Sequence, residues 1–271
     1  MAARTARAAH AGVGAAGRRL RKDGTLAWQA ASVLAVMLAW EIAGRIPINY
    51  AFPPFLAVLR AFVEMVLDGS LVRAFLVTLV PLVLGVLFST VVGVGAGVLM
   101  GLRRGVEWVA APVFIVLQAA PVAAIIPLVT FVYGIGLAAK TVAVILLALP
   151  VIALNAYKAV RNVNPSLVAM CRSFLGTRRQ TVQKVILPDA SPVIFAGLRL
   201  GVGAGFVGVI LAELLITPTG VGDLITYHRS VANYAEMYAT ILTIVVVSAL
   251  CLNGLQRIEA RLFRPERREG T

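Results

Sequence analysis

The chain has 271 residues, 60% of them hydrophobic and 14% charged, with a mean hydropathy of +0.91 and a net charge of +13. Soluble domains are nearer half apolar and a quarter charged, and here the apolar residues run in blocks too long for alternating buried and exposed faces. A soluble fold is excluded. So is nucleic-acid binding, because the basic residues sit between apolar blocks and aromatics do not interleave with them.

Crossing about 30 Å of hydrocarbon takes roughly 20 mostly apolar residues. The sequence predicts an all-α, polytopic membrane protein with six transmembrane helices over residues 25–260, between basic tails at 1–24 and 261–271. The first span covers about 26–46. Basic residues precede it, as in a secretory signal, but it continues through Trp40-Glu41 without a small-x-small cleavage site and is expected to stay. Pro54, in the segment Phe52-Pro53-Pro54-Phe55, is placed to start a helix. Leu56, Leu59, Phe62, Val63 and Val66 then recur at helical spacing. This segment is either an amphipathic helix on the outer surface or a plain linker.

Span two covers 74–102, and span three with its following loop covers 108–139. Span four is short, 141–157. Pro81, Pro112, Pro121, Pro127 and Pro150 lie in or beside these spans, and Pro121 and Pro127 fall within the third. Kinked helices suit a transport pathway, but prolines also occur in inert membrane helices.

Span five, 190–217, carries Arg199 and Glu213, and span six, 237–256, is free of charge. Intramembrane charge costs about 2.5–3.5 kcal/mol on insertion scales, so such groups seek a partner or water. Arg199 lies close enough to the cytosolic end to snorkel, while Glu213 is expected at the outer mouth of a pathway or at the interface. Gly93, Gly97 and Gly101 align on one face of span two, as Gly197, Gly201 and Gly205 do on span five. Such rows serve packing within the chain or contact between two copies.

Lysines and arginines set the orientation. With the N-terminus in the cytosol, nineteen fall inside, in both tails, the loop after span two and the loop at 158–189. Five fall outside, Lys140 among them. The positive-inside rule therefore predicts that both termini are cytosolic. Cys171 and Cys251 have no disulfide or metal spacing. His10 and His228 form no catalytic pair.

The cytosolic loop at 158–189 carries the most specific pattern. Asn164-Pro165 provides an N-cap and a proline at the first helical position. Leu167, Val168, Cys171, Phe174 and Leu175 mark an apolar face, and Gly176 is placed to end the helix in a left-handed conformation. Thr177-x-x-Gln180 is a capping box for a second helix, with Val182, Val185 and Ile186 on one face and Pro188 at its end. By pattern alone, these helices lie on anionic lipid or dock a cytosolic partner.

Arg172-Ser173-Phe174, Arg178, Gln180 and Lys184-Val185-Ile186-Leu187-Pro188 resemble the EAA loop of binding-protein-dependent ABC importer permeases. Gly197-Leu198-Arg199-Leu200, Ala212-Glu213-Leu214 and Gly220-Val221-Gly222-Asp223-Leu224-Ile225 extend the likeness to the nitrate, sulfonate and taurine branch. The resemblance implies a type I importer permease fold in a bacterial-type inner membrane. It implies a second permease copy, cytosolic ATPase subunits that bind ATP and Mg, and an extracytoplasmic solute-binding protein. The loop would supply the coupling helix. Two positions depart from the pattern: Ala169 stands where the family has Glu, and Leu175 where it has Gly. The chain has no GxxxxGK[ST] loop of its own, so nucleotide belongs to a partner and no cofactor is expected here. The competing reading, an ion- or proton-coupled carrier, calls for buried carboxylates in series and an internal repeat, and neither stands out in the sequence.

Overall fold

The computed structural model describes residue 28 and residues 31–46, 51–216 and 218–263. The described residues form helices and no strand. The chain divides into two units, residues 1–61 and 62–271.

In the first unit, residues 31–45 are helical (α1); the rest of the predicted first span and the basic N-terminal tail lie outside the described residues, residue 28 apart. The Trp40 indole stacks on Phe52 at 5.7 Å and donates to the Pro53 carbonyl at 3.1 Å. Glu41 accepts the Leu56 N–H at 2.9 Å and pairs with Arg45. These contacts fix the Phe52-Pro53-Pro54-Phe55 turn. The Pro54 carbonyl accepts from Ala57 and Val58 to open α2, Phe55–Leu67. The segment is thus a helix and not a plain linker, although its buried residues are Val58, Ala61 and Met65, and the predicted apolar stripe is exposed.

The second unit contains α3 (Ser70–Leu102), α4 (Arg104–Ala119), α5 (Val122–Tyr133), α6 (Leu137–Arg161) and α7 (Pro165–Ser173). It continues with α8 (Arg178–Thr181), a π-helical turn (Val182–Ile186), α9 (Leu187–Leu215), α10 (Val221–Ser230) and α11 (Tyr234–Phe263). Among the described residues, four helical stretches are long and apolar enough to cross a membrane: 70–102, 137–161, 178–215 and 234–262. The pair α4 and α5 makes a fifth if taken as one broken span.

That break corrects the expectation of a single third span. The axes of α4 and α5 diverge by 101°, with Pro121 between them at ψ 85°. Proline has no N–H to continue the ladder, and its ring opposes the α conformation of the residue before it; Ala120 is accordingly extended. Pro127 leaves α5 unbroken. The fourth and sixth spans run longer than the sequence indicated, and α11 continues past residue 260.

The core is a three-helix stack with α6 between α3 and α9. Leu82, Val144, Phe206 and Val209 pack at one level, and Ala159, Val160, Val163 and Ala190 at another. Glycines let the backbones close. A methyl on Gly97 would strike the Ala153 carbonyl at 2.5 Å, and one on Gly101 would strike Val160. From the other side, methyls on Gly197 and Gly201 would strike Asn155 and Ile152, while Gly205 faces Val86, Leu82 and Val144. Both glycine rows are therefore used inside the chain, each against α6, with Gly205 also meeting α3. Without a hydrophobic drive between helices in lipid, such close van der Waals contact holds the bundle.

Candidate functional site: a capped loop and a buried ion-pair hub

The loop at 158–189 is built by local hydrogen bonds. Asn164 Oδ1 accepts the Ser166 N–H at 2.9 Å, with Pro165 in the first turn, as the sequence indicated. The helix ends differently. Leu175, not Gly176, takes the left-handed conformation, at φ 56°. Its N–H donates to the Arg172 carbonyl and the Gly176 N–H donates to the Cys171 carbonyl. This is the paired C-terminal bonding of a Schellman turn, with leucine where glycine is usual. Gly176 is needed for space instead, since a Cβ there would lie 2.6 Å from Cys171 Sγ.

The next turn is locked at once. Thr177 Oγ1 accepts from the Gln180 N–H at 3.3 Å, and Gln180 Oε1 accepts the Thr177 N–H at 2.8 Å. Thr181 is buried and its hydroxyl lies 3.5 Å from Cys171 Sγ. Leu167, Val168 and Cys171 are half-buried, but Phe174 and Leu175 are 81% and 91% exposed. The predicted apolar face thus stops where the helix stops, and its last two members form a projecting tip.

Around the tip, Ala169, Arg172, Ser173, Arg178, Gln180 and Lys184 are exposed. Ser173 is turned back, donating to the Ala169 carbonyl at 3.1 Å. No acidic residue occurs between Arg161 and Asp189.

Pro188 does not close the second helix. The chain is helical from Arg178 to Leu215, because a π turn absorbs the proline. Leu187 donates to the Val182 carbonyl, five residues back, so the ring of Pro188 enters a widened turn rather than a tight α ladder. Leu187 and Pro188 therefore join the loop rigidly to α9.

At the far end of α9 lies a buried hub. Glu213 and Lys140 are 2% and 3% exposed, and their charged groups meet at 2.8 Å. Lys140 Nζ also donates to the Thr219 carbonyl at 2.8 Å and to Thr219 Oγ1 at 2.9 Å. Thr78 Oγ1 lies 2.9 Å from each Glu213 oxygen and accepts the Val221 N–H at 3.0 Å. Glu213 Oε2 accepts the Gly222 N–H, also at 3.0 Å. The carboxylate and the Thr78 hydroxyl thus cap the start of α10 from other helices, and its positive dipole end favours the anion.

Glu213, expected at an outer mouth or at the interface, is instead buried against Lys140, which the sequence reading places among the cations outside the spans. The hub also explains the glycines around Val221. Gly220 has φ 94° and faces the Glu213 carboxylate, while a Cβ on Gly222 would strike that of Glu213. Lys140 was missed because it follows the Gly136–Ala139 run and reads as an interfacial cation. One signal was available: it is the only Lys or Arg between Arg104 and Lys158, and an intramembrane carboxylate requires a cation.

Arg199, expected to snorkel, instead pairs with Glu259 of α11 at 3.2 Å. Tyr157 donates to Glu107 at 2.6 Å, tying α4 to α6. Pro121 and Pro127 are exposed, whereas Gly197, Gly201 and Gly205 are buried. His228 lies in α10, against the Tyr227 ring. Among the described residues no cluster of His, Cys, Asp or Glu has the arrangement of a metal site.

Comparison with known proteins agrees with this architecture. The family of binding-protein-dependent transport system inner membrane components matches residues 89–264. The Bacillus subtilis (strain 168) putative aliphatic sulfonates transport permease protein SsuC is 28% identical, over 85% of this chain and 84% of its own. The Escherichia coli (strain K12) taurine transport system permease protein TauC is 27% identical, over 84% and 86% respectively. A chain of the inward-facing MetNI methionine ABC transporter superposes with a TM-score of 0.61 at 22% identity, covering 70% of this chain and 95% of that one. The last comparison speaks for the fold alone, the type I importer permease fold. The chain belongs to the binding-protein-dependent transport system inner membrane components: it is a multi-pass inner-membrane permease subunit of an ABC importer, not an enzyme, and works with a separate ATPase and a substrate-binding protein.

Proposed function

We propose that this permease forms the path for a small organic sulfonate, and that two copies of the chain pair around it. The N- and C-termini face the cytosol. An extracytoplasmic binding protein delivers the solute, and ATP with Mg is bound and hydrolysed in the partner subunit. The sulfonate assignment is supported by the two relatives named for aliphatic sulfonates and taurine, each aligned over more than four fifths of both chains.

The observation that carries the coupling role is the tip itself. Phe174 and Leu175 project from a turn fixed on one side by the Schellman bonds and on the other by the Thr177–Gln180 box. A side chain presented on a rigid turn loses little freedom when it enters a socket. Arg172, Arg178 and Lys184 supply positive charge around it, and Ala169 removes the family's carboxylate, so the complementary groove on the ATPase is acidic. Helical continuity from Arg178 to Leu215 gives closure of the ATPase a stiff route into the bundle. Arg199 and Gly197, Gly201 and Gly205 lie along that route.

The solute is tested on the cognate binding protein, by calorimetric titration with taurine, an alkanesulfonate and nitrate. Sulfonate binding with nitrate ignored is expected. Preference for an uncharged vitamin or an amino acid would overturn the assignment.

A further inference from the structure

Beside the tip, the loop and the end of α3 enclose a recess of about 870 Å³, within the range of pockets that hold small ligands. Its apolar lining comes from Leu102, Val168, Val182 and Ile186. Leu102 is the last residue of α3, a helix long and apolar enough to cross a membrane. Its polar lining is dominated by Arg103, Arg172, Arg178 and Arg179. No acidic side chain lines the recess, and none of these four arginines has an ion-pair partner among the described residues.

Four exposed guanidinium groups around one space concentrate positive charge and favour an entering anion. Arginine is suited to phosphate, because its planar fork of donors matches two oxygens at once. A bare phosphate would leave the apolar side wet. A cytosolic partner, for its part, meets the projecting tip, whereas the recess runs back to the end of a membrane span. An anion with an attached hydrocarbon chain fits both linings, and the cytosolic leaflet is rich in such molecules.

We propose that this recess is a binding site for the headgroup of an anionic phospholipid. The phosphodiester is held by Arg103 and Arg179, the two arginines of the lining that are not given to the ATPase contact, and the start of an acyl chain lies on Leu102, Val168, Val182 and Ile186. The lipid bridges α3 to the loop. The choice of cytosolic leaflet rests on the orientation proposed above; the site itself does not, and the test below reads lipid rather than sidedness.

The permease–ATPase complex is reconstituted in nanodiscs of phosphatidylcholine alone or with phosphatidylglycerol, then released into detergent. Retained lipid is identified by native mass spectrometry. Phosphatidylglycerol is expected to stay bound selectively and to raise the melting temperature of the wild-type complex. An Arg103→Gln/Arg179→Gln variant is expected to lose both effects, while Arg104→Gln, outside the recess, keeps them. Three results would overturn the site: no preference between the lipids in the wild-type complex, unchanged retention in the double variant, or equal stabilisation by inorganic phosphate in phosphatidylcholine. Retention by the isolated permease but not by the complex would also overturn it, by giving the recess to the ATPase.

Discussion

Glu213 and Lys140 stand 73 positions apart in sequence and meet at 2.8 Å inside the bundle. Around this pair the hydrogen bonds are close to complete: the ammonium has three acceptors, and the carboxylate is held by Lys140, Thr78 and the Gly222 N–H. It joins α3, α6, α9 and the start of α10. A pair so enclosed adds little over a well-packed apolar substitute, but losing one partner strands the other charge.

Single substitutions Lys140→Met and Glu213→Gln are therefore expected to destabilise the protein, by about 3–5 kcal/mol for an uncompensated buried charge. The double variant should recover a substantial part, because no charge is left behind. Denaturant unfolding of the purified permease in detergent, as a double-mutant cycle, checks this. Additive losses would mean that the two groups do not act as a pair.

Gly97 and Gly95 lie two residues apart on α3 and give a matched comparison. A Cβ on Gly97 would enter the backbone of α6, while one on Gly95 meets nothing within 4 Å. Gly97→Leu is expected to abolish monodisperse elution or lower the melting temperature by many degrees, and Gly95→Leu to behave as wild type. If both variants fail alike, the seam is not intramolecular.

At the loop tip, Leu175→Gly should relieve about 1 kcal/mol of left-handed strain. Gly176→Ala should destabilise the turn, since its methyl meets Cys171. Hydrogen exchange at residues 171–181 is the readout. Slower exchange in the first variant and faster exchange in the second are expected.

Asp68 is fully exposed between α2 and α3. The Ser70 N–H donates to it at 2.7 Å and holds its carboxyl below the ordinary value, with its hydroxyl and the charge of Arg73 acting in the same direction. A depressed carboxyl contributes stability above its unfolded-state pKa and loses it as pH falls through the lowered one. Asp68→Ala should therefore cost a small amount of stability at neutral pH and nothing at strongly acid pH. Paired melting curves at the two pH values give the answer.

How much of this was legible in the sequence depended on the range of each interaction. The capping box at Thr177 and Gln180 and the N-cap at Asn164 were readable, because their donors and acceptors lie two or three residues apart. The glycine rows were readable as rows, but their target was not: α6 announces itself only by contact. The Leu175 turn was missed because propensity assigns the left-handed position to the nearest glycine. The position at which the C-terminal bonds actually close is instead set by where the helix ends. Pro188 misled for a related reason, since a π turn leaves no composition signature. The Glu213 hub required a partner from another helix, and a lysine near a span end looks the same whether it bonds water or a buried carboxylate.

The 158–189 loop is proposed to grip the ATPase through its projecting tip. That grip is tested most directly by measuring ATP turnover of the reconstituted permease–ATPase complex, with and without solute-loaded binding protein, for wild type and Phe174→Asp. The variant is expected to fold, because Phe174 is exposed, yet to lose stimulation by the loaded binding protein and to release the ATPase on gel filtration. Full stimulation with the ATPase still bound would contradict it.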